Sequence, residues 1–113
     1  MKHVLWLGKD NSVAFQVLSA GKNLATSQYD AISRVVIRLH AIHSDTVITL
    51  DSAQTSQLFS WGPDRITLHG SQLGEVPDVD EGLYFGRIIV YSNDHPGGVV
   101  VADGQDYSVT IKT

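Results

Sequence analysis

Hydrophobic and polar residues alternate with a period of two over most of the chain. In the segment 32–40, the odd positions from 35 to 39 are aliphatic, whereas the even positions from 34 onward include two arginines and a histidine. Such alternation is typical of a β-strand that buries one face and exposes the other. Similar short runs lie at 13–18, 46–50, 57–61, 65–69, 82–92 and 107–111. They predict about seven strands.

The segments between these runs are rich in turn-forming residues. Gly, Pro, Asn and Asp separate the runs, and ten of the twelve acidic residues are Asp, which favours turns over helix interiors. No segment has the pattern of a three-turn helix, although 24–34 has room for one short helical turn. The pattern therefore predicts an all-β fold, an immunoglobulin-like β-sandwich of about seven strands, in a single domain spanning 1–113.

The apolar face of each predicted strand supplies a predicted core. Residues on these faces are expected to be buried, since a small domain has one hydrophobic core to which every sheet contributes. They are Ile37, Leu39, Ile66, Leu68, Phe85, Ile89, Val109 and Ile111.

The stretch GLYFGRIIVYSNDHPGG, residues 82–98, joins the longest predicted strand to a cluster of turn formers. Both faces of 82–92 are partly apolar, which indicates a central strand packed on two sides. Gly86 lacks a side chain in mid-strand and predicts a bulge or the close approach of another chain. NDHPGG then predicts a turn between strands.

Composition excludes several classes of site. The chain of 113 residues has no cysteine, which excludes disulfides and zinc–thiolate sites and agrees with synthesis in a reducing cytoplasm. Its first residues form neither a secretory signal nor a membrane helix, so we expect no membrane association. The net charge is −4 and the eight basic residues are scattered, so we expect no nucleic-acid partner.

Two groups of polar residues suggest metal sites at first sight. His40, His43 and Asp45 are close in sequence, but on a strand the two histidines point to opposite faces, which favours solvent-facing side chains. The acidic segment 75–81 lacks the residue order of a calcium-binding loop, which favours a solvated loop. We therefore expect no metal and no cofactor, and the short Gly-Lys and Gly-Ser segments match no phosphate-binding or catalytic motif.

Three large aromatic residues offer another possibility. Trp6, Trp61 and Tyr84 could form a platform on which a sugar stacks, although aromatic residues of small sandwiches more often fill the core or an interface. A carbohydrate- or ligand-binding module is therefore one alternative function. A small metal-dependent enzyme, using His40, His43 or the segment 75–81, is another.

The order of several segments resembles small β-sandwich structural proteins of tailed bacteriophages and prophages. The similarity lies in ITLDSAQTSQLFSW with its D-S-A turn and terminal tryptophan, in RITLHGSQLG, and in EGLYFGRIIVYSNDHPGGVVVADG. More loosely, the chain is similar to the N-terminal sandwich domain of phage baseplate upper proteins. The resemblance implies a non-enzymatic virion component of a tail, baseplate, connector or capsid decoration, made in the host cytoplasm, with no catalytic residues.

A structural subunit acts through its surface, and two features suggest where. The strand 46–50 has neither charge nor proline, so it is poorly protected against pairing with another strand. The turn 93–98 and the acidic loop 75–81 are expected to project. We therefore expect self-association, or docking to other virion proteins, through Thr46 and an outward-facing Ile48, together with a loop such as that of Asp94, His95 and Pro96.

Overall fold

A computed structural model describes the whole chain, 1–113, apart from the side chain of Gln105. One short helix, α1 (Thr26–Asp30), and two 3-10 helical turns (Gly70–Glu75 and Gly104–Asp106) interrupt a succession of strands. None of the described helices is long and apolar enough to span a bilayer. The strands are β1 (Lys2–Trp6), β2 (Ser12–Phe15), β3 (Leu18–Ser19), β4 (Lys22–Asn23), β5 (Ile32–Ala41), β6 (Val47–Asp51), β7 (Phe59–Trp61), β8 (Ile66–His69), β9 (Gly82–Ser92), β10 (Val99–Ala102) and β11 (Ser108–Lys112).

Six strands form the main sheet. Its order is β1-β11-β9-β5-β6, and β10 pairs with β9 beyond the end of β11. The pairing of β1 with β11 is parallel, and the other described pairings are antiparallel. A three-stranded sheet, β2-β8-β7, and the small hairpin β3-β4 complete the strand pairings.

The core lies between the inner face of the six-stranded sheet and the three-stranded sheet. Alternate residues of β5, β6, β9 and β11 point inward and are matched in register, as shown by the pairs Ile37–Leu50 and Ile37–Ile88. Phe15, Ile66 and Leu68 approach the same core from the three-stranded sheet. Burial of these aliphatic and aromatic side chains is the main force holding the two layers together.

The structure confirms the all-β sandwich-like fold, and α1 supplies the single short helical turn expected in 24–34. The longest strand has the predicted bounds, 82–92, and the other predicted strands are shifted or shortened by a few residues. The predicted runs did not include β1, whose hydrophobic run is short, the hairpin β3-β4, whose strands have two residues each, or β10. The finer assignment to the immunoglobulin-like class stays a prediction.

Six of the eight predicted core residues are buried, but the face assigned to β9 is wrong. Phe85 and Ile89 are partly exposed, whereas Tyr84, Ile88 and Val90 are buried. The reason is the register with β5, which places Ile88 opposite the buried Ile37. Since both faces of β9 are apolar, alternation within the strand could not show which face points inward.

Gly86 does make a close approach, but to side chains of its own chain rather than to another chain. A β-carbon there would lie 2.4 Å from Cδ2 of Tyr107 and 3.1 Å from Cδ2 of Leu39. The ring of Tyr107, which is fully buried, therefore occupies the space that a side chain at position 86 would take. Glycine is needed here for this contact rather than for an unusual backbone conformation.

Candidate functional site

The outer face of the six-stranded sheet is the most distinctive surface of the molecule. We call it the open face. It includes the even-numbered residues of β1 and β11, and those of β5 from position 34 onward. The odd-numbered residues of β6 and β9, together with Val100 of β10, complete it. Because strand side chains alternate between faces, these residues all point away from the core.

The centre of the open face is a pair of arginines. Arg38 of β5 lies directly opposite Arg87 of β9. On one side of them, Val36 lies opposite Ile89, and on the other His40 lies opposite Phe85. The register thus places positive charge between an apolar row, in which Val36 is 3% exposed, and a mixed row of a histidine and a phenylalanine.

Much of the exposed apolar surface of the molecule lies on this face. Eight large hydrophobic residues of the described chain are exposed, and five of them belong to the open face. Exposed apolar residues on one sheet face that also carries arginine are typical of surfaces that bind another protein, and here they are spread from β1 at one edge of the sheet to β6 at the other. The five residues are Val4, Trp6, Val47, Leu83 and Val100.

An ion pair fixes the end of β6 to the open face. The guanidinium of Arg34 donates two hydrogen bonds to the carboxylate of Asp51, with Nε 2.9 Å from Oδ1. The backbone N–H of Ala53 donates to the same Oδ1 at 2.9 Å, so the sequence D-S-A closes its turn on this carboxylate. These hydrogen bonds, Arg34 first, lower the pKa of Asp51, while its burial opposes the shift. Arg34 also lies 5.2 Å from the ring centre of Tyr91, within cation–π distance.

The two central arginines differ in their partners. Arg87 Nε donates to Asp103 Oδ1 at 3.1 Å, and this hydrogen bond lowers the pKa of Asp103. Both side chains are about half exposed, so the pair contributes little to stability. Among the described residues, no carboxylate is within ion-pair distance of Arg38. Arg38 therefore presents an exposed charge that is not neutralised locally.

Charge is segregated between the open face and the rest of the chain. Five of the eight lysines and arginines lie on the open face, and two carboxylates pair with its arginines: Asp51 of the face itself and Asp103, which follows β10 and is counted with the face. The open face therefore carries a net side-chain charge of +3, and the rest of the chain, with three cations and ten carboxylates, carries −7. The five cations are Lys2, Arg34, Arg38, Arg87 and Lys112.

The most concentrated negative charge lies in the segment 75–81, which we call the acidic loop. Val76 is buried and Val79 packs against the core, so these two valines anchor the loop. The hydroxyl of Tyr84 donates to the backbone carbonyl of Asp80 at 2.7 Å, which holds the loop toward the inner side of the sheet. The four carboxylates of the loop are exposed and form no ion pair within the described chain, and they belong to Glu75, Asp78, Asp80 and Glu81.

The predicted interface on β6 needs one correction. The strand does lie at an edge of the six-stranded sheet. However, Ile48 does not face outward: it is 1% exposed and lies opposite the core residue Leu39. Thr46 precedes the strand and is half-buried, and the side chains of this edge that reach solvent are those of Val47 and Thr49.

The turn 93–98 projects as expected, but at a distance from the predicted edge. Asp94, His95 and Pro96 are exposed, and β5 and β9 separate their turn from β6. Asp94 and His95 border a cavity of about 190 Å³ between the β3-β4 hairpin, α1 and β9. Its volume is below the roughly 300 Å³ at which sites for drug-sized ligands begin.

The residues considered for metal binding are not brought together. His40, His43 and Asp45 are all exposed, and His40 points outward on the open face. Among the residues whose side chains the structure describes, no group of three His, Asp or Glu side chains has an arrangement that could hold a metal ion.

The three aromatic residues considered for sugar binding are also separated. Trp6 is 41% exposed on the open face, whereas Tyr84 is 2% exposed on the opposite, inner face of the same sheet. Trp61 belongs to the three-stranded sheet. They form no common platform, although Lys112 Nζ lies 5.4 Å from the ring centre of Trp6.

Comparison with known protein families, with curated proteins and with solved structures finds no match to this chain. The candidate site is therefore defined by the geometry of the open face. The alternation in the sequence identified the outward positions of β5 correctly. It did not show that the outward residues of β9 lie beside them in the same surface. The signal that could have located the face was the pairing of two strands with arginine near their centres, Arg38 and Arg87.

Proposed function

We propose that the protein is a non-enzymatic structural subunit of a phage or prophage particle, and that it docks onto its neighbours through the open face. The observation that carries this proposal is the open face itself, a broad sheet surface that exposes both apolar side chains and the charge of Arg38.

The composition of this face suits protein binding. Arginine and aromatic residues are enriched at protein interfaces because they combine a large contact area with directional hydrogen bonding. Here Arg34 stacks near Tyr91 and Lys112 near Trp6, so these cations are positioned beside apolar surface. Covering Leu83 and Val100 with a partner would remove apolar area from water, at a gain of about 25 cal/mol per Å² before the costs of association.

The setting in a virion rests on the sequence resemblance. The D-S-A turn and the strand 82–92, which carry this resemblance, also help to build the open face. Asp51 of the turn accepts hydrogen bonds from Arg34, and β9 supplies Arg87 at the centre of the face. A particle subunit made in the host cytoplasm and incorporated through this face accounts for both observations.

The test is incorporation into particles. Leu83→Glu and Val100→Glu each place a charge on the exposed apolar part of the open face, and Leu18→Glu places the same charge on an exposed leucine of β3, away from that face. Tagged forms of the three variants and the wild type would be produced during induction of the source strain, and particles would be purified. We expect wild type and Leu18→Glu in particles and the two open-face variants in the free fraction. Equal incorporation of all four forms, or of none, would contradict the proposal.

A further inference from the structure

The open face and the acidic loop carry opposite charges, and no ion pair joins them within the described chain. Glu81, which ends the loop, accepts a hydrogen bond from the hydroxyl of Thr113 at 2.8 Å, and Arg87 lies six residues from Glu81 along β9. At about 3.3 Å per residue in a strand, these positions are roughly 20 Å apart, more than twice the Debye length of about 8 Å at physiological salt. In addition, Tyr84 holds the loop toward the inner side of the sheet.

We infer that the partner that binds the open face is the acidic loop of a second copy of this chain. This inference rests on the proposed docking function. The net charge of +3 on the face is complementary to the four carboxylates of the loop, which form no ion pair within the described chain. Arg38, which has no carboxylate partner in its own chain, would receive one from the neighbour.

The chemistry of the contact is that of arginine with carboxylate. Guanidinium groups bind carboxylates through two parallel hydrogen bonds, and Arg38 can receive a carboxylate of Asp78 or Asp80 in this way. Arg87, which lies opposite Arg38 and already donates two hydrogen bonds to Asp103, adds positive charge beside it. Pro77, which is exposed between Val76 and Val79, would lie against exposed apolar side chains of the face. Because the loop is already fixed by Val76 and Val79, little ordering is required on binding.

This arrangement excludes a symmetric face-to-face dimer. Two open faces brought together would place a charge of +3 against +3 and would oppose Arg38 of one copy to the arginines of the other. A contact between two different surfaces is heterologous, so each copy retains one free face and one free loop. Such contacts propagate into a ring if the rotation closes and into a filament if it does not.

Two variants separate the two halves of the contact. The face variant carries Arg38→Gln and Arg87→Gln, and the loop variant carries Asp78→Asn, Asp80→Asn and Glu81→Gln. Asp78 has a φ of 61°, a conformation that asparagine also adopts readily, so the loop is expected to keep its shape. Arg65→Gln is the control, because Arg65 lies outside the open face and pairs with Asp64.

Sedimentation velocity would measure association of the purified chains. We expect the wild type and the control to form oligomers that grow with concentration and dissociate between roughly 0.05 M and roughly 0.5 M salt. The face variant and the loop variant are each expected to be monomeric, with association weakened by about tenfold or more. Mixed together, they should form a discrete one-to-one dimer, since only one complementary contact remains.

The result of the mixture is decisive for the heterologous contact. No dimer in the mixture, or a wild type that stays monomeric at low salt, would overturn the inference. If the wild type is monomeric but open-face variants still fail to enter particles, the docking function stands and its partner is another protein. If the wild type oligomerises through this contact but no form enters particles, the inference stands and the virion role fails.

Discussion

Arg38 and Arg87 lie directly opposite each other across β5 and β9, with both side chains on the open face. Like charges in this position destabilise a sheet, and Asp103 offsets only the charge of Arg87. The folded domain therefore carries a repulsion at the centre of its exposed sheet surface. An acidic partner would remove this repulsion, which connects the geometry of the face to its proposed use.

This relationship predicts that Arg38→Glu stabilises the isolated domain while impairing assembly. The substitution replaces a like-charge pair by an attraction to Arg87, so the free energy of unfolding should rise by roughly 0.2–1 kcal/mol at low salt. Urea denaturation would measure the change. Arg38→Gln removes the repulsion without adding an attraction, so its free energy of unfolding should lie between those of the wild type and Arg38→Glu. A decrease in stability for both variants would show that Arg38 supports the fold.

The contact between Gly86 and Tyr107 predicts a large effect from one methyl group. Gly86→Ala would force the buried ring of Tyr107 to move, at a cost of about 1–3 kcal/mol. Gly74→Ala is the matched control, because no atom lies within 4 Å of a β-carbon there and the residue has no left-handed backbone. Thermal denaturation should separate the two variants. Equal melting temperatures would contradict the packing of Tyr107 on Gly86.

The corrected face of β9 predicts an order of truncation effects. Ile88 is fully buried, so Ile88→Ala should cost about 2–5 kcal/mol. Phe85 is partly exposed on the open face, so Phe85→Ala should cost about 1 kcal/mol despite the larger side chain. Chemical denaturation of both variants gives the comparison. A greater loss for Phe85→Ala would mean that the register of β9 is wrong.

Stability should fall as the pH drops below about 6.5 because of His3. Burial lowers the pKa of His3 below its usual 6.5, and the charge of the N-terminus lowers it further. In the window between the folded pKa and 6.5, the unfolded chain takes up a proton that the folded chain does not. The free energy of unfolding therefore decreases with falling pH through that window and levels off below the folded pKa.

The variant His3→Gln tests this assignment. His3 Nδ1 lies 3.1 Å from the hydroxyl of Tyr107, an interaction that glutamine can retain without titrating. Comparison of urea denaturation at about pH 7.5 and about pH 5.5 should show a smaller decrease for the variant than for the wild type. The same decrease in both proteins would assign the pH dependence to other residues.

The sequence allowed prediction of elements that depend on local pattern. The alternation in 32–40 identified β5, and the strand 82–92 has the bounds observed in the structure. The glycine at position 86 indicated a close approach, although the group that approaches is Tyr107 of the same chain and not another chain. Each of these inferences needed only the neighbours of a residue along the chain.

The remaining features depend on pairing between distant segments. The edge strand β1 pairs with β11, more than a hundred residues away, and no local signal identifies that partner. The inward face of β9 is set by its register with β5, and the burial of Ile48 by its position opposite Leu39. The open face likewise exists only after β5 and β9 pair, since one arginine on each strand is unremarkable by itself.

Arginine labelling tests the use of the open face most directly. Phenylglyoxal would be applied to the free protein and to purified particles, and modification would be read by mass spectrometry. Arg38 is exposed in the free chain, and Arg65, whose side chain is 54% exposed away from the open face, serves as the internal reference. If the open face docks in particles, Arg38 and Arg65 should both react in the free protein, and only Arg65 should react in particles. Equal reactivity of Arg38 in both states would contradict docking through the open face.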